Sequence, residues 1–387
     1  MRIDPYQLAK SRIHALSLVV GTGSGGLALT ESIQATSLQS ERTRKRAWLV
    51  SPHLDFWLAS AGASCGLLAA VLVILWHGDR EIDAFDLFLS EFHLGATYHA
   101  VVQRRLWRRL PVDVMVVPLA IVVVTYALSL SGEAILLTSI AMYAAVWHRG
   151  RQSLGVACFY QRAVGGPVSR VHEWLFRGAI YLPMLASALA YTHLSPTHYE
   201  GEPYLALITS EGCVIAAVLA AVLWLATYLL YALRRNVSVS VASPYVKRAP
   251  HVHPGEWWVV LAHAVAFGSS YILGAGNASF LFVLAVHHEA QYLYFTYAVS
   301  RRNVFFCNGG AVSEPIASKI CSSTIQPGQQ AEWKHAAVFS IWPVIGFAGA
   351  LAGGWLQIPW LAPLGTAGLF CHYWLDGRIW TRRAMHG

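Results

Sequence analysis

Charge is what this chain has least of. Only 12% of its residues are Asp, Glu, Lys or Arg, against 56% hydrophobic ones, where soluble domains carry about 25% charged residues. So little charge cannot coat a water-facing surface for 387 residues, and a mean hydropathy of +0.46 points the same way. Other absences narrow the chemistry. The six cysteines, at 65, 158, 213, 307, 321 and 371, include no CxxC pair, which argues against a zinc ribbon and a disulfide framework. Several lie in apolar stretches and read as packing residues. No CxxCH is present for covalent haem and no GxSxG elbow for a nucleophile. The glycines between Gly21 and Gly26 lack the Lys-Ser/Thr and the preceding strand of a phosphate loop. Low-complexity tracts, a solenoid repeat and a cleavable signal peptide are likewise missing.

What the chain has instead is long apolar runs. They fall at about 56–76, 84–103, 112–130, 133–160, 174–191, 212–233, 256–273, 280–302, 336–356 and 360–380, each able to supply the roughly 20 residues a bilayer needs. The expected fold is all-α: a polytopic transmembrane helix bundle of about ten spans. Residues 1–50 are expected to form a cytoplasmic arm. Residues 51–387 form a single transmembrane helical domain with a cytoplasmic loop at about 303–334. Basic clusters follow the arm and the even-numbered spans, and the loops after odd-numbered spans carry few. That alternation puts both termini in the cytoplasm. The +8 net charge is therefore topological and implies no nucleic-acid partner. The 15 Trp and 17 Tyr suit interfacial belts. The expected location is a bacterial inner (cytoplasmic) membrane, multi-pass, with the lipid bilayer as partner.

The polar residues inside these spans carry the functional reading, because such groups are expensive in lipid. His93 lies ten residues before the end of span two, His148 twelve before Tyr160, His288 eleven before Val299 and His372 eight before Trp380. At ~1.5 Å per residue, all four sit about 12–18 Å from the cytoplasmic edge. Four histidines at one depth, on four helices running the same way, can meet at one point. Each has a polar neighbour at short or helical spacing. Glu91 and Thr97 flank His93, Gln152 follows His148, Gln291 follows His288, and Asp376 follows His372. Imidazole with carboxylate suits Fe, Mn or Zn, and helix bundles build di-iron sites from such residues. The candidate metal set is His93, His148, His287, His288, His372, Asp376, Glu91, Gln152 and Gln291. The imidazoles of His287 and His288 point about 100° apart on a helix, so both can serve only a wide site, as two ions would make.

Tyr292 and Arg151 are the candidate catalytic side chains. Arg149 and Arg151 also admit other readings: an earlier cytoplasmic end to span four, neutralisation of a buried carboxylate, or binding of an anionic substrate or lipid headgroup. His263 lies in span seven without a companion pattern. His193, His198, His251 and His253 fall in loops and are expected at the surface. A satisfied core histidine, a proton or ion path, and bis-His haem between spans are the competing readings of the histidines.

The His-box pattern of alkane hydroxylases and fatty-acid desaturases is met here only by HHxxQ at His287–Gln291. The chain resembles more closely a poorly characterised bacterial polytopic membrane family. The shared pattern is a His followed by a TY pair (His93, Thr97, Tyr98), then HxxRQxxG (His148–Gly155), HxxQY (His288–Tyr292) and HYxLDxxIW (His372–Trp380), covering about residues 85–380. The resemblance implies His93, His148, His288, His372 and Asp376 as metal ligands. It also implies kinship with membrane oxidases that turn hydrazines into azoxy compounds with non-haem iron. The function expected is thus an integral membrane, metal-dependent oxidoreductase (an oxygenase or oxidase). It would use O2 on an apolar or amphiphilic small molecule, with iron, two ions, as cofactor and an electron-donor protein as a further partner. Zn, Mn or haem are the alternative cofactors. A proton- or ion-coupled transporter, or a haem- or quinone-binding electron-transfer protein, are the alternative classes.

Overall fold

A computed structural model describes residues 48–59, 93–98, 100–101, 106–164, 166–199, 202–207, 210–241, 251–275, 280–301 and 362–379. The arm before residue 48, Glu91, His99, the loop at 303–334, span nine and most of span one lie outside these residues. The described elements are almost wholly helical: α1 (Pro52–Leu54), α2 (Leu106–Arg109), α3 (Val117–Leu130), α4 (Ala134–Ala163), α5 (Arg170–Leu194), α6 (Glu211–Val241), α7 (Pro254–Phe267), α8 (Leu281–Arg301) and α9 (Ala362–Ile379). Residues 93–98 and 100–101 are also helical and are called the His93 segment. One antiparallel ribbon, β1 (His198–Tyr199) with β2 (Glu202–Pro203), joins α5 to α6. The all-α expectation holds.

Among the described residues, two helical stretches, Val112–Leu130 and Glu211–Asn236, are long and apolar enough to cross a bilayer, with mean hydropathies of 2.2 and 2.5. They bury little of themselves. Leu119, Val123 and Val124 on one, and Leu219, Val222 and Leu223 on the other, are more than half exposed.

Local chemistry sets the boundaries. After α3, Gly132 takes φ +80, and Glu133 N–H bonds Leu128 O while Gly132 N–H bonds Ser129 O. This is a Schellman turn, which needs a residue content with positive φ. It reverses the chain straight into α4. Ser169 caps α5 by accepting from His172 N–H at 3.1 Å, as its short hydroxyl side chain favours. Among the described residues, three π-helical turns interrupt the helices, at Asp55–Ala59, Val112–Val116 and Gly268–Leu273. A π-turn skips a step in the backbone ladder and leaves carbonyls for other partners. Here Ala59 O takes the Gln291 amide at 2.8 Å, and Asp113 O takes Trp374 Nε1 at 3.0 Å. Both donors sit on helices that carry a histidine of the site, α8 and α9.

Packing orders the bundle in layers. At one end, Met142, Tyr191, Tyr199, Tyr204 and Tyr271 form an apolar cluster with the hairpin over it. At the other end, Asp55 accepts from Leu49 N, Val50 N, Tyr160 Oη and Tyr294 Oη at 2.5–3.0 Å. Between them α4 and α5 touch at Gly150, where any Cβ would collide with Met184 Sδ. Pro183 opens the middle of α5. The carbonyl of Ile180 in that turn bonds His263 Nε2 at 2.9 Å, so His263 is a buried core histidine with a partner.

Candidate metal centre

The middle layer is where the polar residues of the apolar segments go. Helices that are hydrophobic on most faces bury whatever polar groups they hold, and buried polar groups seek one another. Four elements each turn one histidine inward: the His93 segment, α4 with His148, α8 with His288 and α9 with His372. All four side chains are buried, and one nitrogen from each lies within 4.8 Å of all the others, a group able to hold a metal ion. His93 Nε2 and His372 Nε2 are 2.7 Å apart. Ring centroids stand 4.4 Å apart for His93–His372, 4.6 Å for His93–His288, 4.8 Å for His148–His372 and 4.9 Å for His148–His288.

Asp376 stands beside the four histidines without being one of the group. Its Oδ2 lies 3.7 Å from both His148 Nε2 and His372 Nε2. Its other oxygen, Oδ1, accepts from Tyr292 Oη at 2.6 Å and from Thr97 Oγ1 at 2.7 Å. Thr97 therefore has spent its only proton on Asp376. Its 2.8 Å contact with His372 Nδ1 then requires the imidazole to donate, since a hydroxyl has one hydrogen. That bond fixes the tautomer of His372: Nδ1 carries the proton and Nε2 presents its lone pair to the centre. Partners of this kind orient metal-binding imidazoles.

Two atoms at the centre test the fit to a cation. His148 Nε2 and Asp376 Oδ2 are buried and have no hydrogen-bond partner, although they face one another. Buried polar groups are nearly always satisfied. A cation would satisfy both at once. Donors around one ion with metal–nitrogen bonds of about 2.0–2.1 Å stand no more than about 4.2 Å apart, so the observed spread closes with small side-chain shifts.

The remaining candidates take other places. Gln152 Nε2 donates to His288 O at 2.7 Å and to Gln291 Oε1 at 3.3 Å, and Gln291 Nε2 donates to Ala59 O. These amides tie α4 to α8 and α8 to the π-turn at Asp55–Ala59. His287 is buried but lies near His263 and is not one of the four grouped histidines. Tyr292 lies beside the centre, its ring 4.2 Å from His93. Arg151 does not reach it: the side chain is exposed and Nη1 donates to Tyr181 Oη at 3.2 Å. α4 runs unbroken through Arg149 and Arg151 to Ala163. Glu91 lies outside the described residues.

Sequence reasoning missed a second buried polar group and misplaced one loop histidine. His172 Nε2 and Tyr228 Oη both bond Glu256 Oε1, at 2.8 and 2.9 Å, with His172 and Glu256 wholly buried. Val168 N–H donates to His172 Nδ1 at 3.1 Å, so the Nε2 proton points at the carboxylate. The available signal was position: both residues sit at the start of a helix, within three residues of its cap. His253, expected at the surface, is buried as the N-cap of α7. Its Nδ1 accepts from Gly255 N–H at 3.0 Å and its ring stacks on Tyr160 at 5.1 Å. Burial, and then the neighbouring His251, push its pKa down to about 4.

No family model matches the chain, and neither a curated protein nor a solved structure does. The site must be read from its own geometry.

Proposed function

We propose that the chain is an integral membrane, non-haem metal oxidoreductase of the oxygenase or oxidase type, with iron held by His93, His148, His288 and His372 and by Asp376. The observation that carries the reading is the pair His148 Nε2 and Asp376 Oδ2. Both are buried, both lack a hydrogen-bond partner, and they stand 3.7 Å apart beside the inward-facing imidazoles. Imidazole nitrogens with one carboxylate suit Fe, Mn or Zn. Four nitrogens and one carboxylate oxygen make one ion's complement, so we favour one ion over two. A bound iron would supply the one-electron steps and the reaction with O2 that no amino-acid side chain offers. The protein's part is to hold the donors. Thr97 and Tyr292 clamp Asp376 Oδ1, which leaves Oδ2 facing the histidines, and Thr97 turns His372 Nε2 inward.

The setting favours a membrane. Large apolar side chains cover α3 and α6 with more than half of their surface exposed, beyond what a soluble monomer presents. We read the chain as about ten spans of a bacterial inner membrane with cytoplasmic termini. Its substrate is an apolar or amphiphilic small molecule reaching the centre from the lipid or the cytoplasmic side, and an electron-donor protein is a further partner. The alternatives fit less well. A porphyrin between two axial histidines would have to part rings whose centroids are under 5 Å apart. A proton relay would string its histidines along a path, whereas these converge on a point. The test is substitution: His288→Ala and His372→Ala should each strip metal from the purified protein while expression stays intact. Unchanged metal in both variants would overturn the assignment.

A further inference from the structure

Three exposed residues of α4 take no part in the centre. Trp147, Arg151 and Gly155 recur every four residues, so they lie in one stripe, and all three are exposed. Trp147 lies flat on Tyr181 of α5, with centroids 5.6 Å apart and planes 8° apart. Arg151 Nη1 reaches the Tyr181 hydroxyl at 3.2 Å. Among the described residues no carboxylate lies within ion-pairing distance of Arg151. One turn on, a Cβ built at Gly155 would meet nothing within 4 Å. The guanidinium thus stands between an aromatic shelf and open space over Gly155.

Its depth is set by Tyr181. The charged turns of α5 hold Arg170, Glu173 and Arg177, and Glu173 pairs with Arg177 at 2.8 Å. Tyr181 comes one turn later, ~6 Å further along the helix. In a bilayer Arg151 is then held just inside the charged belt. A cation there is costly unless it meets an anion or water. A guanidinium's planar fork matches a carboxylate or phosphate, and a flat aromatic shelf suits methylene groups.

We propose that Trp147, Arg151, Tyr181 and Gly155 bind the anionic head of a membrane-dissolved amphiphile, a carboxylate or phosphate on an alkyl chain. Arg151 binds the head, Gly155 leaves room for it, and the Trp147–Tyr181 stack carries the chain. Arg151 follows His148 by three residues, so the head of the ligand lies one turn along α4 from a residue of the centre. As a substrate site this rests on the reading of that centre as catalytic; as a binding site it stands by itself.

The test is binding of radiolabelled dodecanoate and dodecyl phosphate to the full chain in detergent, with dodecanol as the neutral control and metal content measured in parallel. Arg151→Gln should weaken both anions at least tenfold, since one charge-assisted hydrogen bond is at stake, and leave dodecanol and metal content unchanged. Gly155→Leu should weaken the anions while keeping the guanidinium. Nanodiscs separate the two sources. If a phospholipid is the natural ligand, phosphatidylglycerol discs abolish dodecanoate binding and phosphatidylcholine discs do not. If it is a free amphiphile, binding survives in both. Equal dodecanoate affinity in wild type and Arg151→Gln, or dodecanol bound as tightly as dodecanoate, overturns the proposal. Anion binding in a wild type that holds no metal would sink the metal reading and leave this one standing.

Discussion

Replacing Thr97 by valine removes one oxygen and keeps the shape, and the structure says what that oxygen does. It donates to Asp376 Oδ1 at 2.7 Å, receives His372 Nδ1 at 2.8 Å and touches Tyr292 Oη at 2.9 Å. Without it Asp376 keeps one clamp, from Tyr292, and the Nδ1 proton of His372 is left buried without an acceptor. A hydrogen bond to a charged group contributes about 1.5–3 kcal/mol, and an orphaned buried donor costs about 1–3 kcal/mol. The imidazole is then free to take the other tautomer, which turns a proton rather than a lone pair toward the centre. Loss of such an orienting partner typically lowers metal affinity 10–100-fold, or about 1.4–2.8 kcal/mol at 1.4 kcal/mol per decade. The assay is competition against a chelator of known affinity, on detergent-purified wild type, Thr97→Val and Thr97→Ser. Serine keeps the hydroxyl and should restore most of the affinity. If valine binds metal as tightly as wild type, or serine binds as weakly as valine, the orienting role is wrong.

Two further outcomes separate ligands from struts and test one buried histidine. Gln291→Met should lower thermal stability by about 1–3 kcal/mol, because the carbonyl of Ala59 loses its buried donor, yet metal content should not change; loss of metal would make Gln291 a ligand. His253 is held near 4 when folded against an ordinary 6.5, so the unfolded chain binds its proton first on acidification. Stability from this residue is full above pH 6.5 and falls between pH 6.5 and about 4, by up to about 3 kcal/mol at 1.36 kcal/mol per unit. His253→Asn keeps an acceptor for Gly255 N–H and cannot titrate, so its melting temperature should fall less than wild type between pH 7.5 and 5; parallel curves would refute this.

Much of the site was legible because polar residues are conspicuous in long apolar runs. His93, His148, His288 and His372 stood out as polar groups at a common distance from helix ends, and helical rise, together with the basic-loop alternation that set their helices running the same way, predicted that they meet. Asp376 was readable from its spacing to His372. Gln152 and Gln291 were not, since spacing gives proximity without saying whether an amide faces an ion or a carbonyl. That depended on π-turns, which free Ala59 O and leave no periodic trace. His253 was misplaced because a polar residue beside Pro254 reads as loop, and only the fold shows Tyr160 stacked on it. The Asp55 knot joins residues up to 239 positions apart, which no local pattern encodes. The all-helical character was plain from the apolar runs.

The most direct measurement is elemental analysis of the purified full chain together with its visible absorption spectrum. The account predicts one iron per chain, no Soret band, and loss of the iron in His148→Ala. A Soret band, or a chain with no stoichiometric metal, would contradict it.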